Sequence, residues 1–292
     1  MLVKRNLLLF FRDKANVFFS LLAVFIILGL YVLFLGDMME QTLRDQVGFD
    51  SDKINVVMAS LTLAGMVAVT SVTGSLGAVG ISISDKESVA KDFLASPVSR
   101  GKMTRSYMLG SAAVGFIMTF TALLIVLAYI ALKGGRLPDA FGFVRLFLTV
   151  VLSVLCGNAI VFFMSVFLKT LNAFTSLSTI IGTLIGFLMG IYIPIGQFPG
   201  AVQWVVKCFP MSHAASMFKQ ILADAELAAL FGDASAHVPA SAEALDGFRE
   251  MFGVVFSYGD YISSFWFSAA VLAITTAVFY VASLALIRVR RG

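Results

Sequence analysis

Residues 171–200 read LNAFTSLSTIIGTLIGFLMGIYIPIGQFPG, with no charged side chain between Phe174 and Ile195. At 1.5 Å per residue, about 20 such residues cross the roughly 30 Å hydrocarbon layer of a bilayer, so the stretch predicts a transmembrane helix. Gly182, Gly186 and Gly190 recur at every fourth position, and Thr175 and Thr179 fall on the same stripe at about 100° per residue. One wall of the helix is therefore stripped of bulky side chains. In lipid, apolar surface gains little by leaving acyl chains for another helix, and such a wall lets two backbones approach and gain dispersion contacts. On pattern alone, tight packing within one bundle is the default use. A subunit interface and a substrate path are the sharper alternatives.

The rest of the chain has the same character. Of its 292 residues 59% are hydrophobic and 13% charged, with a mean hydropathy of +0.95, which excludes a water-soluble globular domain. The strong apolar segments lie near 17–36, 56–83, 106–132, 143–168, 172–195 and 262–287. They predict an all-α membrane protein with six transmembrane helices in one domain spanning 1–292. The first apolar run is about 20 residues, longer than the usual 7–15 of a signal peptide, and is expected to be retained.

Six crossings leave both termini on one side. That side holds Lys4, Arg5, Arg12, Lys14, Lys86, Lys91, Arg100, Lys102, Arg105, Lys169, Arg288, Arg290 and Arg291 against only Asp13, Asp85, Glu87 and Asp92. The opposite side has more acids than bases, although Lys133, Arg136 and Arg145 lie there. The excess of Lys and Arg in short loops predicts cytoplasmic termini in a multi-pass protein of the plasma (inner) membrane. The basic pI of about 9.1 then reflects orientation, and no nucleic-acid partner is expected. Cys156 and Cys208 sit at different depths and are not expected to pair.

Residues 1–16 predict a pre-membrane helix with Val3, Leu7, Phe10 and Phe11 on one face and Arg5 and Arg12 opposite, resting on the lipid bilayer surface. In the second span Ser60, Ser71, Ser75 and Ser82 share an arc and form either a packing seam or one side of a pathway. The stretch 84–103, SDKESVAKDFLASPVSRGKM, places Ser84 three residues before Glu87 as in a capping box, so a short helix is expected to start there and to stop before Pro97. Asn158 is an amide at mid-depth in span four, read first as a hydrogen bond to a neighbouring helix and second as a substrate contact. The tight connection 169–172 predicts a hairpin of spans four and five. The extracytoplasmic region 196–261 is expected to hold one or two short re-entrant or surface-lying helices, interrupted by Pro210, then a polar, alanine-rich excursion over 224–250.

Several chemistries lack their residues. The spans offer no cluster of ionisable groups for an intramembrane enzyme or a proton relay. His213 and His237 have no cluster of Cys, His and carboxylates around them for a metal site. No GxxxxGK[ST] loop is present to cradle ATP. What remains is a non-catalytic conduit driven by something else.

These residues resemble the membrane subunit of type-2 ATP-binding-cassette exporters. The stretch FTSLSTIIGTLIGFLMGIYIPIGQFPG with the FPMSHAASMFKQIL tail looks like that family's fifth span and its re-entrant outer helices. DKESVAKDFLASPVSRGKM, notably SPVSR at 96–100, is similar to its coupling segment, although Lys86, Ser88 and Val89 depart from the more usual acidic run followed by Gly and Thr. The pre-membrane helix looks like its elbow helix. The resemblance implies an ATP-driven exporter of a hydrophobic or amphipathic substrate: a drug, an antibiotic or a lipid-like molecule. It also implies a partner ATPase subunit that holds ATP and Mg, no cofactor on this chain, and a second membrane subunit, identical or merely similar. It assigns Glu87, Lys91, Phe93, Leu94 and Arg100 to contact with the ATPase. Gly182, Gly186 and Gly190 then serve close packing near the dimer axis, and Ser71, Ser75, Asn158, Thr175 and Thr179 the substrate pathway. The alternative from another class is a membrane scaffold or sensor of the same fold that docks a cytosolic regulator.

Overall fold

Asp13 decides how the chain enters the bundle. Its carboxylate accepts from the amides of Ala15 and Asn16 at 3.1 Å each, which ends one helix, α1 (Leu2–Arg12), and caps the next, α2 (Lys14–Leu30). The single helix expected over 1–16 is thus broken before Lys14. In the computed structural model, which describes residues 2–38, 41, 53–88, 100–168, 170–234 and 242–289, α2 runs on through a π-helical turn at Tyr31–Leu35. Tyr31 is buried there, with its hydroxyl donating to the Asn55 carbonyl at 3.3 Å.

The second apolar segment lacks proline and forms one helix, α3 (Lys53–Ser88), of 36 residues and about 54 Å. It therefore extends beyond both faces of a hydrocarbon layer. Ser84 and Glu87 lie inside this helix, so they do not start a new one: continuation of the backbone hydrogen-bond ladder prevails over the capping-box pattern. Residues 89–99, including Lys91, Phe93 and Leu94 and most of the expected coupling helix, lie outside the described residues, as do the side chains of Glu87 and Arg100.

The chain continues with α4 (Arg100–Leu132), α5 (Ala140–Phe167) and α6 (Leu171–Leu188). Asp139 caps α5 through the Gly142 amide at 2.8 Å, and Thr170 caps α6 through the Ala173 amide at 3.2 Å. Four short helices follow: α7 (Gly200–Cys208), α8 (Pro210–Leu222), α9 (Asp224–Ala234) and α10 (Ala242–Met251). A small antiparallel hairpin, β1 (Ser257–Tyr258) with β2 (Tyr261–Ile262), leads into α11 (Phe265–Val289). Six helices, α2 to α6 and α11, are long and apolar enough to cross a membrane. Pro210, expected to interrupt a segment, occupies the first helical position of α8, where its missing N–H costs nothing.

Helix α3 is the hub. In its most apolar stretch 89% of residues are buried, against 17% for α6 and 11% for α11. It packs against α2, α4, α5, α6, α8 and α9, whereas α11 lies on α5 and α8. Spans four and five follow one another closely, but α6 rests mainly on α3. Small residues make these contacts close. A Cβ on Gly74 would lie 3.2 Å from the Met118 Cβ and 3.4 Å from the Gly115 Cα, and one on Gly157 would lie 3.2 Å from the Ser71 carbonyl oxygen.

The region after span five is more ordered than a polar excursion. Leu227, Leu230, Phe231, Phe248 and Phe252 form an apolar cluster with Ile54, Val57, Met58 and Leu61, in the first turns of α3. The far end of α3 is thus the floor of a small helical cap.

Packing at the Gly157 contact leads to a direct test. Gly157→Leu, set against backbone, is expected to destabilise the fold by about 1–3 kcal/mol through overpacking. Thermal unfolding in detergent measures it, and an unchanged midpoint would refute the close α3–α5 approach.

Candidate functional site

Serine hydroxyls on a membrane helix can bond back to the turn below, and three on α3 do so. Ser71 donates to the Ala68 carbonyl at 2.7 Å, Ser75 to Ser71 at 2.9 Å and Ser82 to Val79 at 2.7 Å, and all three are buried. Ser60 is buried as well and its Oγ has no partner. The Ser71 backbone lies against Gly157 of α5 and the Ser75 hydroxyl against Gly115 of α4, and both serines are fully buried. Within this chain the serine arc is buried against neighbouring helices. Asn158 is likewise internal: its Oδ1 accepts from Ser111 Oγ at 2.7 Å, and its Nδ2 donates to the Met108 carbonyl at 3.0 Å and to the Tyr280 hydroxyl at 2.9 Å. It clasps spans three, four and six.

The opposite side of α3 borders an open polar cleft. About 200° around the helix from Ser75 lies Gly77. With Gly80, Ser84 and Asp85 it forms one wall of a cleft of about 580 Å³, whose other walls are Asp13 and Asn16 at the α1–α2 junction and Phe174, Thr175 and Ser178 of α6. Thr175 is therefore placed at an open cleft, and Thr179 lies one turn farther along the exposed side of α6. Both hydroxyls donate to carbonyls four residues earlier, at 3.0 Å each.

Helix α1 closes the end of this cleft through specific contacts. Asn6 is buried against Gly110, where an added Cβ would meet the Asn6 Cβ at 3.0 Å, and Phe10 lies against Gly77. Phe11, on the same apolar face as Phe10 in the sequence pattern, is exposed. Arg5, expected to face headgroups, turns inward: its Nη1 donates to Asp85 Oδ2 at 2.9 Å, and Tyr107 donates to the same oxygen at 2.6 Å. The hydrogen bond to Asp85 raises the Arg5 guanidinium above its ordinary pKa. The ion pair joins the first helix to the last turns of α3, directly before residues 89–99.

The three glycines of span five have three different environments. Gly182 is exposed, and a Cβ there would meet nothing within 4 Å. Gly186 is covered by the ring of Tyr192 from its own chain. Gly190, with φ of +62°, is not on the helix: it forms the left-handed turn that stops α6, with its amide donating to the Phe187 carbonyl at 3.0 Å. The helix expected over 172–195 ends at Leu188 for this reason, and the glycine stripe does not act as one wall.

Lys219 is the main feature that the residue pattern did not single out. It lies in α8 with 1% exposure, and its Nζ donates to the Met189 carbonyl at 3.1 Å and to the Phe252 carbonyl at 2.8 Å. Both acceptors are at helix ends, those of α6 and α10, where carbonyls lack intrahelical partners and a cation is favoured. Nearby, His213 bridges the Lys207 carbonyl and Ser268 Oγ, at 3.1 Å each, and burial lowers its pKa. The available signal was a lone lysine within the apolar run FPMSHAASMFKQIL. His237 lies outside the described residues, and among those described no group of three or more His, Cys, Asp or Glu could hold a metal ion.

Six candidate spans, one of them a buried central helix, with polar groups spent on helix-to-helix contacts, define a multi-pass membrane protein whose working surfaces are clefts and faces. Residues 1–223 match the ABC-2 type transporter family, and the chain belongs to it. It is a non-catalytic transmembrane permease component. In this family ATP binding belongs to ABC ATPase domains, and membership implies association with such an ATPase. No curated protein matches the chain.

The buried amine yields a pH prediction. Desolvation pushes the Lys219 amine down to about 7 from its ordinary 10.5. Between these values the unfolded chain binds more protons than the folded one, so stability rises as pH climbs from about 7 toward 10.5 and is flat below about 7. Lys219→Met is expected to abolish that slope and to lower stability by about 1–3 kcal/mol through the two orphaned carbonyls. Unfolding midpoints across pH 6–10 for both proteins decide it, and an identical slope in the variant would dismiss the assignment.

Proposed function

We propose that this permease is the export subunit of an ATP-driven transporter in which two six-span subunits, identical or merely similar, enclose a pathway for a hydrophobic or amphipathic substrate. In this reading the termini are cytoplasmic and α1 is the elbow helix. Residues 84–103 carry the coupling element gripped by a separate ATPase, and α7–α8 is a re-entrant pair on the outer side. Glu87, Lys91, Phe93, Leu94 and Arg100 make the ATPase contact.

The observation that carries the proposal is the open face of α6 beside the 580 Å³ cleft. Thr175, Thr179, Gly182 and Thr183 are exposed on a helix of which only 17% is buried. A face of hydroxyls and glycine has little to gain from acyl chains, but it allows close packing with another helix. A second subunit laid against it would convert the one-sided cleft into an enclosed one lined by Thr175, Ser178, Phe174 and Gly80. This supports Thr175 and Thr179 as pathway residues and moves the pathway wall of α3 from Ser71 and Ser75 to Gly77, Gly80 and Ser84.

Continuity of α3 supports the coupling. A push on the segment after Ser88 would travel along one rod that contacts α2, α4, α5 and α6, and Arg5–Asp85 would carry α1 with it. The cleft on the cytoplasmic half would then open or close as the two rods rock.

Gly182→Leu is the clean test of the interface, because an added side chain there meets nothing within this chain. Pairing of tagged copies, read by co-purification from lipid nanodiscs, is expected to fall about tenfold or more, as for a lost close packing of roughly 1.4 kcal/mol. Unchanged pairing would remove α6 from the interface. For the coupling segment, Phe93→Asp is expected to abolish both ATPase co-purification and substrate transport. Retention of both would overturn the assignment of residues 84–103.

A further inference from the structure

Arg145 is a cation at the edge of the cap. It sits in the second turn of α5, half-buried, with its guanidinium 4.2 Å from the Phe265 ring centroid and 6.0 Å from that of Phe141. Among the described residues no carboxylate pairs with it. The stacking leaves its N–H donors at the plane's edge free to bond an oxyanion.

Arg145 lines a cleft of about 440 Å³ between the outer ends of α5 and α11 and the helices α9 and α10. Two rims differ in kind. On the bundle side Phe141 and Trp266 are 61% and 64% exposed, and Val144 and Phe147 continue an exposed apolar surface down α5. A half-buried cation beneath an aromatic edge, above apolar side chains, is the pattern expected at the headgroup level of a bilayer. On the cap side lie Asp224 and Asp246, both bound by Arg249, at 2.7 Å and 3.1 Å. The Asp246 side chain remains 53% exposed, and its contact with Arg249 uses one of its two oxygens. The cleft is therefore balanced in charge, two guanidinium groups against two carboxylates, but separated: the unpaired cation is on the membrane side and the surplus carboxylate on the cap side.

A simple anion would meet the carboxylates as well as Arg145, and a simple cation the reverse. A zwitterion meets both rims with the right sign. We infer that this cleft binds the headgroup of a zwitterionic phospholipid, with the phosphate on Arg145, the ammonium toward Asp246 and the acyl chains along the exposed face of α5. Occupancy would brace the cap against α5 and α11 and tie its position to the surrounding lipid.

The full-length permease purified in detergent, incubated with phosphatidylethanolamine, phosphatidylglycerol or diacylglycerol of the same acyl chains, is read by native mass spectrometry for retained lipid. Phosphatidylethanolamine is expected to be retained best and diacylglycerol least. Arg145→Ala should reduce retention of both phospholipids roughly tenfold or more, the loss expected for a charge-assisted hydrogen bond. Arg145→Lys, which keeps the charge and serves as a check on folding, should recover part of it. Asp246→Asn should erase the preference for phosphatidylethanolamine over phosphatidylglycerol. Lys133→Ala, at an exposed base outside the cleft, should change nothing. Equal retention by native protein and Arg145→Ala, equal retention of diacylglycerol, or displacement of the lipid by millimolar inorganic phosphate would each overturn the proposal, the last by assigning the site to a soluble anion.

Discussion

Helices in a bilayer have no hydrophobic drive to associate, because lipid tails are as apolar as the side chains they would replace. Everything in this chain that holds the bundle together follows from that constraint. The central helix α3 meets its neighbours through Gly74, Gly77 and Gly80 and through serines whose hydroxyls fold back on their own carbonyls. Small, internally satisfied residues let backbones approach to van der Waals contact, so that dispersion replaces the missing hydrophobic term. Polar clasps such as Asn158 to Ser111, Met108 and Tyr280 then fix register between spans.

Outside the hydrocarbon layer the logic changes. The first turns of α3 carry Ile54, Val57, Met58 and Leu61, which bury the apolar sides of α9 and α10 as in a soluble protein. Between the two regimes stands Lys219, a single buried amine that joins the end of α6 to the end of α10. Its position explains why α6 stops where it does. Gly190 must take a positive φ to turn the chain, and the freed Met189 carbonyl needs a donor that neither lipid nor an apolar neighbour can supply.

The six spans were legible because long apolar runs leave few alternatives in composition. Boundaries and roles were less so, for identifiable reasons. The Ser84–Glu87 pair has the spacing of a helix start, yet a helix already under way is favoured by propagation, and local pattern does not reveal that it has not ended. Gly182, Gly186 and Gly190 look equivalent at a spacing of four, but whether a glycine serves a partner, an aromatic ring or a turn depends on residues far along the chain, here Tyr192 and Ile195. The serine arc on α3 was visible on a helical wheel. Which side of the wheel faces the cleft was not, since that is set by where α6 and α1 dock. Lys219 was hidden because one base in an apolar segment reads as a surface residue until its carbonyl partners, at Met189 and Phe252, are brought to it by the fold.

A permease without a nucleotide site must receive work mechanically, and the distribution of burial bears on how. A helix buried along its whole length cannot move independently of its neighbours, because close packing resists local deformation. Force applied at the end of α3 would therefore displace the assembly of α2, α4, α5 and α8 together with the helical cap seated on its far turns. Helix α6 is different: it touches the hub along one edge, is exposed along the rest, and is fixed at its C-terminal end by the Lys219 bond. Relative motion is then easiest between α6 and whatever lies across its open face, with the Met189–Lys219 contact as the fixed point. The same asymmetry places the cleft formed by Gly80, Phe174 and Thr175 at the free end of α6, where a small rotation about that fixed point makes the largest change in width.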